Sequence, residues 1–352
     1  MIQLKNLTKR QNAVLRIVGE HGVAGSGIIL REISKEFDKA SRITVIRDLY
    51  QLVQLKLLKR SGKGRTVVYE LSMPTTMRPV DIDSYFLTEP DRRKILSGRI
   101  FFENKKKWSE ILSNSEIAAM EKLTATYRSN LKKYRDTDLK KELERITVEF
   151  SWKSSMMEGN TYTLLDTERL IREHEVAPGK KREETRMILN HKKALEYGLK
   201  HARSFKKISR RMIEDFHELT VSGLGTRRGL RTHPVGIIGT SYRPHDNVYQ
   251  IREALEYLCK LVNYIDEPVL KAMISVAGLS YIQPFGDGNK RTSRLIGNAI
   301  LLAYGYCPLS YRSVDEIEYK KSLILFYEQH TLISFKKVFL DQYRFAVKNY
   351  FV

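Results

Sequence analysis

Cysteine is almost absent. The 352 residues contain only Cys259 and Cys307, too few for a disulfide framework or a structural zinc site. No segment approaches the ~18 consecutive apolar residues that cross a bilayer. The opening stretch Met1–Arg10 is polar and mixed, without the apolar run of a secretory signal. Internal repeats and low-complexity tracts are also lacking. These absences lead to the expectation of a soluble, reducing, cytoplasmic setting with no membrane partner. Acid is scarce as well: 41 Asp+Glu against 62 Lys+Arg leave a formal charge of +21. That imbalance points to a polyanion, whether nucleic acid, an acidic membrane surface or a phosphate-bearing ligand. The rest is ordinary globular material, 42% hydrophobic and 29% charged, and the length suits two or three domains.

The positive charge is concentrated at the start. Residues 1–71 hold 14 Lys/Arg and 6 Asp/Glu. Thr8 is placed to cap a first helix carrying Val14, Ile17 and Val18 at helical spacing. The glycine-rich 22–27 stretch interrupts the chain, and Ile29–Phe37 reads as a short amphipathic helix. Ser41 is placed to cap a third helix through Ile43, Ile46, Leu49, Leu52 and Val53. Leu57–Arg60 and Thr66–Leu71 read as strands around Ser61-Gly62-Lys63-Gly64, a hairpin signal. Three helices and a basic hairpin over about residues 5–72 resemble a winged helix-turn-helix domain. That resemblance implies DNA binding, with Ser41, Arg42, Thr44 and Arg47 entering the major groove. Lys59, Arg60, Lys63 and Arg65 would then contact phosphates from the wing. A protein-contact module with merely solvated charges is the blander alternative.

Pro74 and Pro79 suggest a linker, followed by a helical, highly charged pattern from Asp81 to Phe150. The run Lys105-Lys106-Lys107 reads as a solvated face. Tyr85-Phe86, Phe101-Phe102 and Trp108 read as packing residues. A helix over Leu143–Met157 is expected to stop at Gly159, leaving Ser154, Glu158 and Gly159 at its end.

Chemistry concentrates in residues 281–294, Tyr-Ile-Gln-Pro-Phe-Gly-Asp-Gly-Asn-Lys-Arg-Thr-Ser-Arg. An apolar helical pattern precedes them (Val269, Met273, Val276, Leu279) and another follows (Leu295, Ile296, Ala299, Ile300, Leu301). The motif is therefore a loop between two helices, broken by Pro284, Gly286 and Gly288. Such a loop exposes backbone N–H groups at a helix start, where the dipole also favours an anion. Asn289 supplies an amide, Arg291 and Arg294 share a helical face suited to gripping phosphates, and Asp287 suits a Mg²⁺ bridging two of them.

From Phe285 through Arg294 the sequence matches every fixed position of H-x-F-x-D/E-G-N-x-R-x-x-R and so resembles the Fic (filamentation induced by cAMP) family. The likeness extends through Glu183–Leu199, Gly229-Leu230-Arg231 and Pro234–Tyr249, the last resembling the family's target-binding β-hairpin flap, and it covers about residues 80–350. It implies a mainly α fold: an all-helical Fic-type core with a short β-hairpin flap, beside the N-terminal winged helix. The division expected is 1–72 for the winged helix, 73–114 for a linker and connecting helix, 115–310 for the Fic domain with an inhibitory helix near 143–160, and 311–352 for a C-terminal helical extension. It also implies transfer of AMP from ATP, with Mg²⁺, onto a hydroxyl of a protein bound at the flap. Asp287 would hold the metal, Gly286, Gly288, Asn289 and Arg291 the nucleotide, and Arg294 its γ-phosphate. Ser154–Gly159 matches the inhibitory signature S/T-x-x-x-E-G/N, in which Glu158 would pair with Arg294 and compete with that phosphate.

One position departs. The family's general-base histidine falls at Gln283, whose amide has no usable pKa near neutrality, and loss of a positioned base costs ~10²–10⁴-fold in rate. His233 and His245, in or beside the flap segment, lie in the right neighbourhood of the family's fold to substitute, against the commoner case of plain surface histidines in a loop. The leading expectation is therefore a nucleotide-binding, DNA-binding regulator with weak or absent AMP transfer, acting as a homodimer on two half-sites. The alternative is an autoinhibited protein adenylyltransferase. A purely structural interaction protein is a third reading, and it predicts no Mg²⁺–ATP binding.

Overall fold

The structure is a computed structural model that describes residues 7–38, 40–72, 75–96, 100, 102 and 105–352. The chain is mainly helical and divides into two compact units. One contains residues 1–100 with 239–241 and 324–334; the other contains 101–238, 242–323 and 335–352. The segment 73–114 is thus shared between the two. Among the described residues, no helix is long and apolar enough to cross a membrane.

The first unit begins with α1 (Lys9–His21), β1 (Val23–Gly25), α2 (Ser26–Glu36) and α3 (Arg42–Gln54), then β2 (Leu58–Ser61) and β3 (Val68–Leu71). Thr8 caps α1 through a reciprocal box with Gln11, and the Ser41 hydroxyl accepts from the Thr44 N–H at the start of α3, each supplying an orphan helix donor with a partner. The strands pair antiparallel in the order β1-β3-β2. β1 arises inside the glycine-rich stretch, where sequence alone suggested only a break. Three residues pairing with Val68–Glu70 are too few to show a period. Val14, Ile17, Val18, Ile29, Ile33, Leu49, Leu52 and Leu58 form the core.

On α3 the expected face needs correction. Ile43 and Ile46 are exposed, and the buried positions are Val45, Asp48, Leu49 and Leu52. Asp48 is drawn inward by an ion pair with Arg10 of α1. A carboxylate therefore takes a core position that hydrophobic pattern assigns to its apolar neighbours. Further along come α4 (Ile82–Phe86), α5 (Lys105–Ser109), α6 (Asn114–Leu131) and α7 (Asp136–Met156). Trp108 on α5 is buried against Phe102, and Lys105 of the triple-lysine run lies over the Tyr264 ring. Phe101 and Pro74 lie outside the described residues.

α7 starts seven residues earlier than the Leu143 expected and ends ahead of Gly159, whose φ of +92° turns the chain away. After it come α8 (Leu164–Arg172), α9 (Arg182–Lys200), α10 (Arg210–Val221), α11 (Val248–Tyr264), α12 (Pro268–Ile282), α13 (Asn289–Ala303), α14 (Glu316–Gln329) and α15 (Ile333–Asn349). α12 is the axis of the second unit: every residue from Val269 to Ile282 is buried, as expected of a helix apolar on all sides. α11 and α13 flank it.

The expected flap hairpin is absent. Residues 231–247 contain turns and extended chain but no strand, and α11 already begins at Val248. Pro234 and Pro244 lack an N–H for a ladder. The Arg231 guanidinium takes up carbonyls that a hairpin would pair, donating to His233 O (2.8 Å) and His245 O.

Candidate functional site

The loop between α12 and α13 is short and tightly held. Gln283 ends α12 in the left-handed region (φ +49°), with its backbone N–H on the Leu279 carbonyl. Its side chain is buried and donates Nε2 to the Ser280 carbonyl at 2.7 Å. The Arg231 Nε donates to the Gln283 carbonyl at 2.7 Å, and the Arg231 N–H donates to the Pro284 carbonyl at 3.0 Å. Asn289 uses its whole amide inside the loop, accepting from the Phe285 N–H at 2.9 Å and donating to the Phe285 carbonyl at 2.8 Å. Gly288 caps α13 at φ +79°, and a Cβ there would lie 2.6 Å from Val221 Cγ1. Only glycine fits that conformation and that gap.

Two histidines that sequence reasoning passed over brace this arrangement. His217 on α10 lies flat on Phe285 (centroids 3.7 Å apart, 8° between planes) and hydrogen-bonds through Nε2 to the Asp287 carbonyl at 2.9 Å. Burial lowers its pKa to about 4, so the ring is neutral at physiological pH and Nε2 carries the donated proton. His191 on α9 is fully buried, its pKa pushed down to about 3 mainly by burial. Its Nδ1 meets the Met187 carbonyl at 2.8 Å and its Nε2 meets Ser154 Oγ at 2.9 Å. The carbonyl requires a proton on Nδ1, so Ser154 Oγ donates to Nε2. Both histidines occupy helix positions between buried apolar neighbours: Ile188, Ala194 and Leu195 around His191, Ile213 and Phe216 around His217. That placement is the only sequence signal they give.

The two motif arginines enter this frame from α13. Arg291 is nearly fully buried and its Nη2 pairs with Asp287 Oδ2 at 2.8 Å; the Asp287 side chain is 68% exposed. Arg294 is fully buried. Its Nε donates to Ser154 Oγ (2.9 Å), and its Nη2 donates to the Ser154 carbonyl (2.8 Å) and to Glu158 Oε1 (2.9 Å). Lys290 Nζ lies 4.0 Å from the other Glu158 oxygen. Burial opposes the Arg294 charge most, but Glu158, helped by Tyr319 and Tyr311, outweighs it and the pKa is raised. Nη1 of both Arg291 and Arg294 is buried without a well-formed hydrogen bond, although the Arg294 guanidinium also interacts with the Tyr319 hydroxyl. Two guanidiniums, each with an unfilled donor, beside a helix N-terminus are equipped to take further anionic oxygens.

Beside the loop is a cavity of about 320 Å³ lined in part by Arg227, Arg231, His233, Gly286 and Asp287. A Cβ built on Gly286 would meet the His233 ring at 3.4–3.5 Å, so His233 stands against the loop; His245 Nδ1 faces Gln250 Oε1 at 3.0 Å. No group of three or more His, Cys, Asp or Glu side chains gathers for a metal among the described residues.

Residues 202–301 match the model of the Fic/DOC family. The chain carries a Fic/DOC domain. Protein adenylyltransferase Fic of Nematostella vectensis is 29% identical over 199 residues, 53% of this chain and 44% of the relative. The protein of the same name from Aedes aegypti is 26% identical over 214 residues, 58% of this chain and 42% of the relative. The chain thus spans less than half the length of these curated relatives. A Fic domain containing signaling protein from Bacteroides thetaiotaomicron superposes with a TM-score of 0.55 at 19% identity, covering 65% of this chain and 95% of the other. Fic-1 of Caenorhabditis elegans gives 0.53 at 20% identity, covering 69% and 80%. At those identities the two structures speak for the fold alone.

Within the Fic/DOC domain and its flanks, the second unit brings together Ser154, Glu158, Gln283, Gly286, Asp287, Gly288, Asn289, Arg291 and Arg294. The DNA-contact candidates belong to the first unit. Ser41, Arg42, Arg47, Lys59, Arg60 and Lys63 are exposed and Thr44 is half-buried. Lys59 pairs with Glu70 at 3.0 Å. The Arg65 side chain lies outside those described.

Proposed function

We propose that this protein binds ATP at the 283–288 loop and transfers AMP to a hydroxyl of a protein partner, under restraint by Glu158 and slowly because Gln283 stands at the base position. The observation that carries this reading is the pair of buried arginines with unfilled Nη1 donors, one of them already gripping a carboxylate. The names of the curated relatives favour transfer over the purely regulatory role to which the sequence pointed first.

In this reading the start of α13 and Arg291 hold the inner phosphates. Asn289 acts indirectly, fixing the loop through Phe285 rather than reaching the ligand with its amide. Arg294 receives the terminal phosphate once Glu158 leaves, because one guanidinium edge cannot serve both anions. Asp287, largely exposed and paired through one oxygen with Arg291, is the loop carboxylate that would hold a Mg²⁺. Such an ion would neutralise phosphate charge. Gln283 orients a hydroxyl by hydrogen bonding but accepts no proton.

Labelled-AMP transfer by Glu158→Gly and by Glu158→Gly/Gln283→His tests both parts. The double variant is expected to be faster by roughly 10²–10⁴-fold. Equal rates remove Gln283 as the limit, and the His233→Ala change in the Glu158→Gly background then asks whether His233 is the base. Failure of every variant to bind ATP overturns the reading.

A second reading concerns residues 9–71. The order helix, strand, helix, helix, hairpin, with exposed Arg42 and Arg47 on α3 and Arg60 and Lys63 on the hairpin, supports a winged helix that binds DNA through α3 and the β2–β3 turn, as a homodimer on paired half-sites.

A further inference from the structure

The first unit contains a second concentration of cations, remote in sequence from the Fic motif. A cavity of about 270 Å³ is lined by Lys9, Arg16, Arg78, Arg92, Arg93 and Lys94, with only two acids, Glu36 and Asp81. Both acids are already engaged. Glu36 pairs with Arg16 and, at 2.6 Å, with Lys94. Asp81 accepts the Ser84 N–H at the start of α4 at 3.2 Å. Arg93 also has its carboxylate, Glu328, at 3.4 Å.

Arg78 has none. It is 2% exposed, and its Nη2 donates to the Gln329 side-chain oxygen at 2.7 Å and the Gln329 carbonyl at 3.4 Å, both neutral acceptors. Its Nε is buried with no acceptor at all. Among the described residues Arg78 forms no ion pair. Burial, aided by the Arg16 charge, lowers its pKa to about 10. The Glu20 carboxylate attracts it only from a distance, and a guanidinium kept out of water without a directly paired carboxylate is a costly arrangement. Exposed Lys9 and Arg92 at the same cavity likewise have no carboxylate partner among the described residues.

We propose that this cavity is a binding site for a small phosphate-bearing anion, with Arg78 at its floor and Lys9, Arg92 and Lys94 at its rim. Phosphate chemistry fits better than a halide or a single carboxylate. The cavity is several times the size of a halide, the lining holds six cations against two acids, and guanidinium forks match tetrahedral oxyanions bidentately. An anion there would offset the Arg78 charge and relieve the repulsion between Arg78 and Arg16. The site stands whether or not the Fic loop binds ATP.

Calorimetric titration of the full chain with pyrophosphate, and in parallel with AMP, tests this in 150 mM KCl without Mg²⁺. Arg78→Gln is expected to weaken pyrophosphate binding roughly tenfold and Arg92→Ala about threefold. Arg92 is exposed, so its variant keeps the test valid if Arg78→Gln does not fold. Arg294→Ala is expected to retain the binding, which separates the cavity from the loop. AMP weakened by the same changes identifies a nucleotide as the source of the phosphate; pyrophosphate alone identifies a free inorganic anion. Affinity unchanged in Arg92→Ala and in any folded Arg78→Gln protein, or lost in Arg294→Ala, overturns the proposal. So does heat that vanishes between 50 and 150 mM KCl, the mark of diffuse surface charge.

Discussion

His217 offers its Nε2–H to the Asp287 carbonyl while its ring lies on Phe285, and His191 accepts from Ser154, which in turn receives Arg294. Burial holds both rings neutral, and His191 can accept from Ser154 only in that form. Their folded pKa values, about 4 and about 3, lie below the ~6.5 of an unfolded histidine. Between those values the unfolded chain binds protons that the native state refuses, so stability falls as pH drops from 6.5 towards 4. Urea midpoints are therefore expected to decline steadily from pH 7.5 to pH 5. His217→Gln, which keeps an Nε2 donor but does not titrate, should show a shallower decline. Midpoints flat across this range, or an equal slope in the variant, would contradict the assignment.

At the scale of elements, the α12–loop–α13 turn joins two demands at Gly288, a φ of +79° and a Cβ direction blocked by Val221. Gly288→Ala is expected to destabilise the fold by about 1–3 kcal/mol and to weaken nucleotide binding. Adding Val221→Ala should recover part of the stability, since it removes the clash but not the strained backbone. Full recovery, or none, would mean the two costs are wrongly divided. This loop was legible in sequence because glycine, proline and paired arginines each serve a purpose there that few other residues serve. The caps at Thr8 and Ser41 were legible for the same reason. The inward face of α3 was not: Ile43 and Ile46 share the spacing of the true core residues, and only Arg10, distant in sequence, draws Asp48 inward. The 231–247 segment was misleading because its likeness suggested strands, while Arg231 and two prolines remove the ladder. The tie between Glu158 and Arg294 was accessible only through family likeness, because 136 residues separate the two.

For the whole molecule, the charge of +21 separates into distinct environments. Arg291 and Arg294 are buried beside carboxylates, Arg78 is buried without one, and Arg42, Arg47, Arg60 and Lys63 face solvent. Only the last group suits a large polyanion. Binding of the full chain to duplex DNA is expected to weaken with salt, with a log–log slope of roughly −3 to −5 for four or five phosphate contacts. Arg47→Ala should weaken it further. An affinity indifferent to salt would remove DNA from the list of partners.

The contact between Glu158 and Arg294 bears on binding equilibria at that arginine. Because the carboxylate is on the same chain as the guanidinium it occupies, dilution does not loosen it; its local concentration is set by the geometry of the α7 terminus. On the proposed reading, a nucleotide that needs Arg294 would bind only the fraction of molecules in which Glu158 has swung away. Its apparent dissociation constant is the intrinsic one divided by that fraction. Any partner that pulls on the end of α7 would therefore tune nucleotide affinity without touching the nucleotide site.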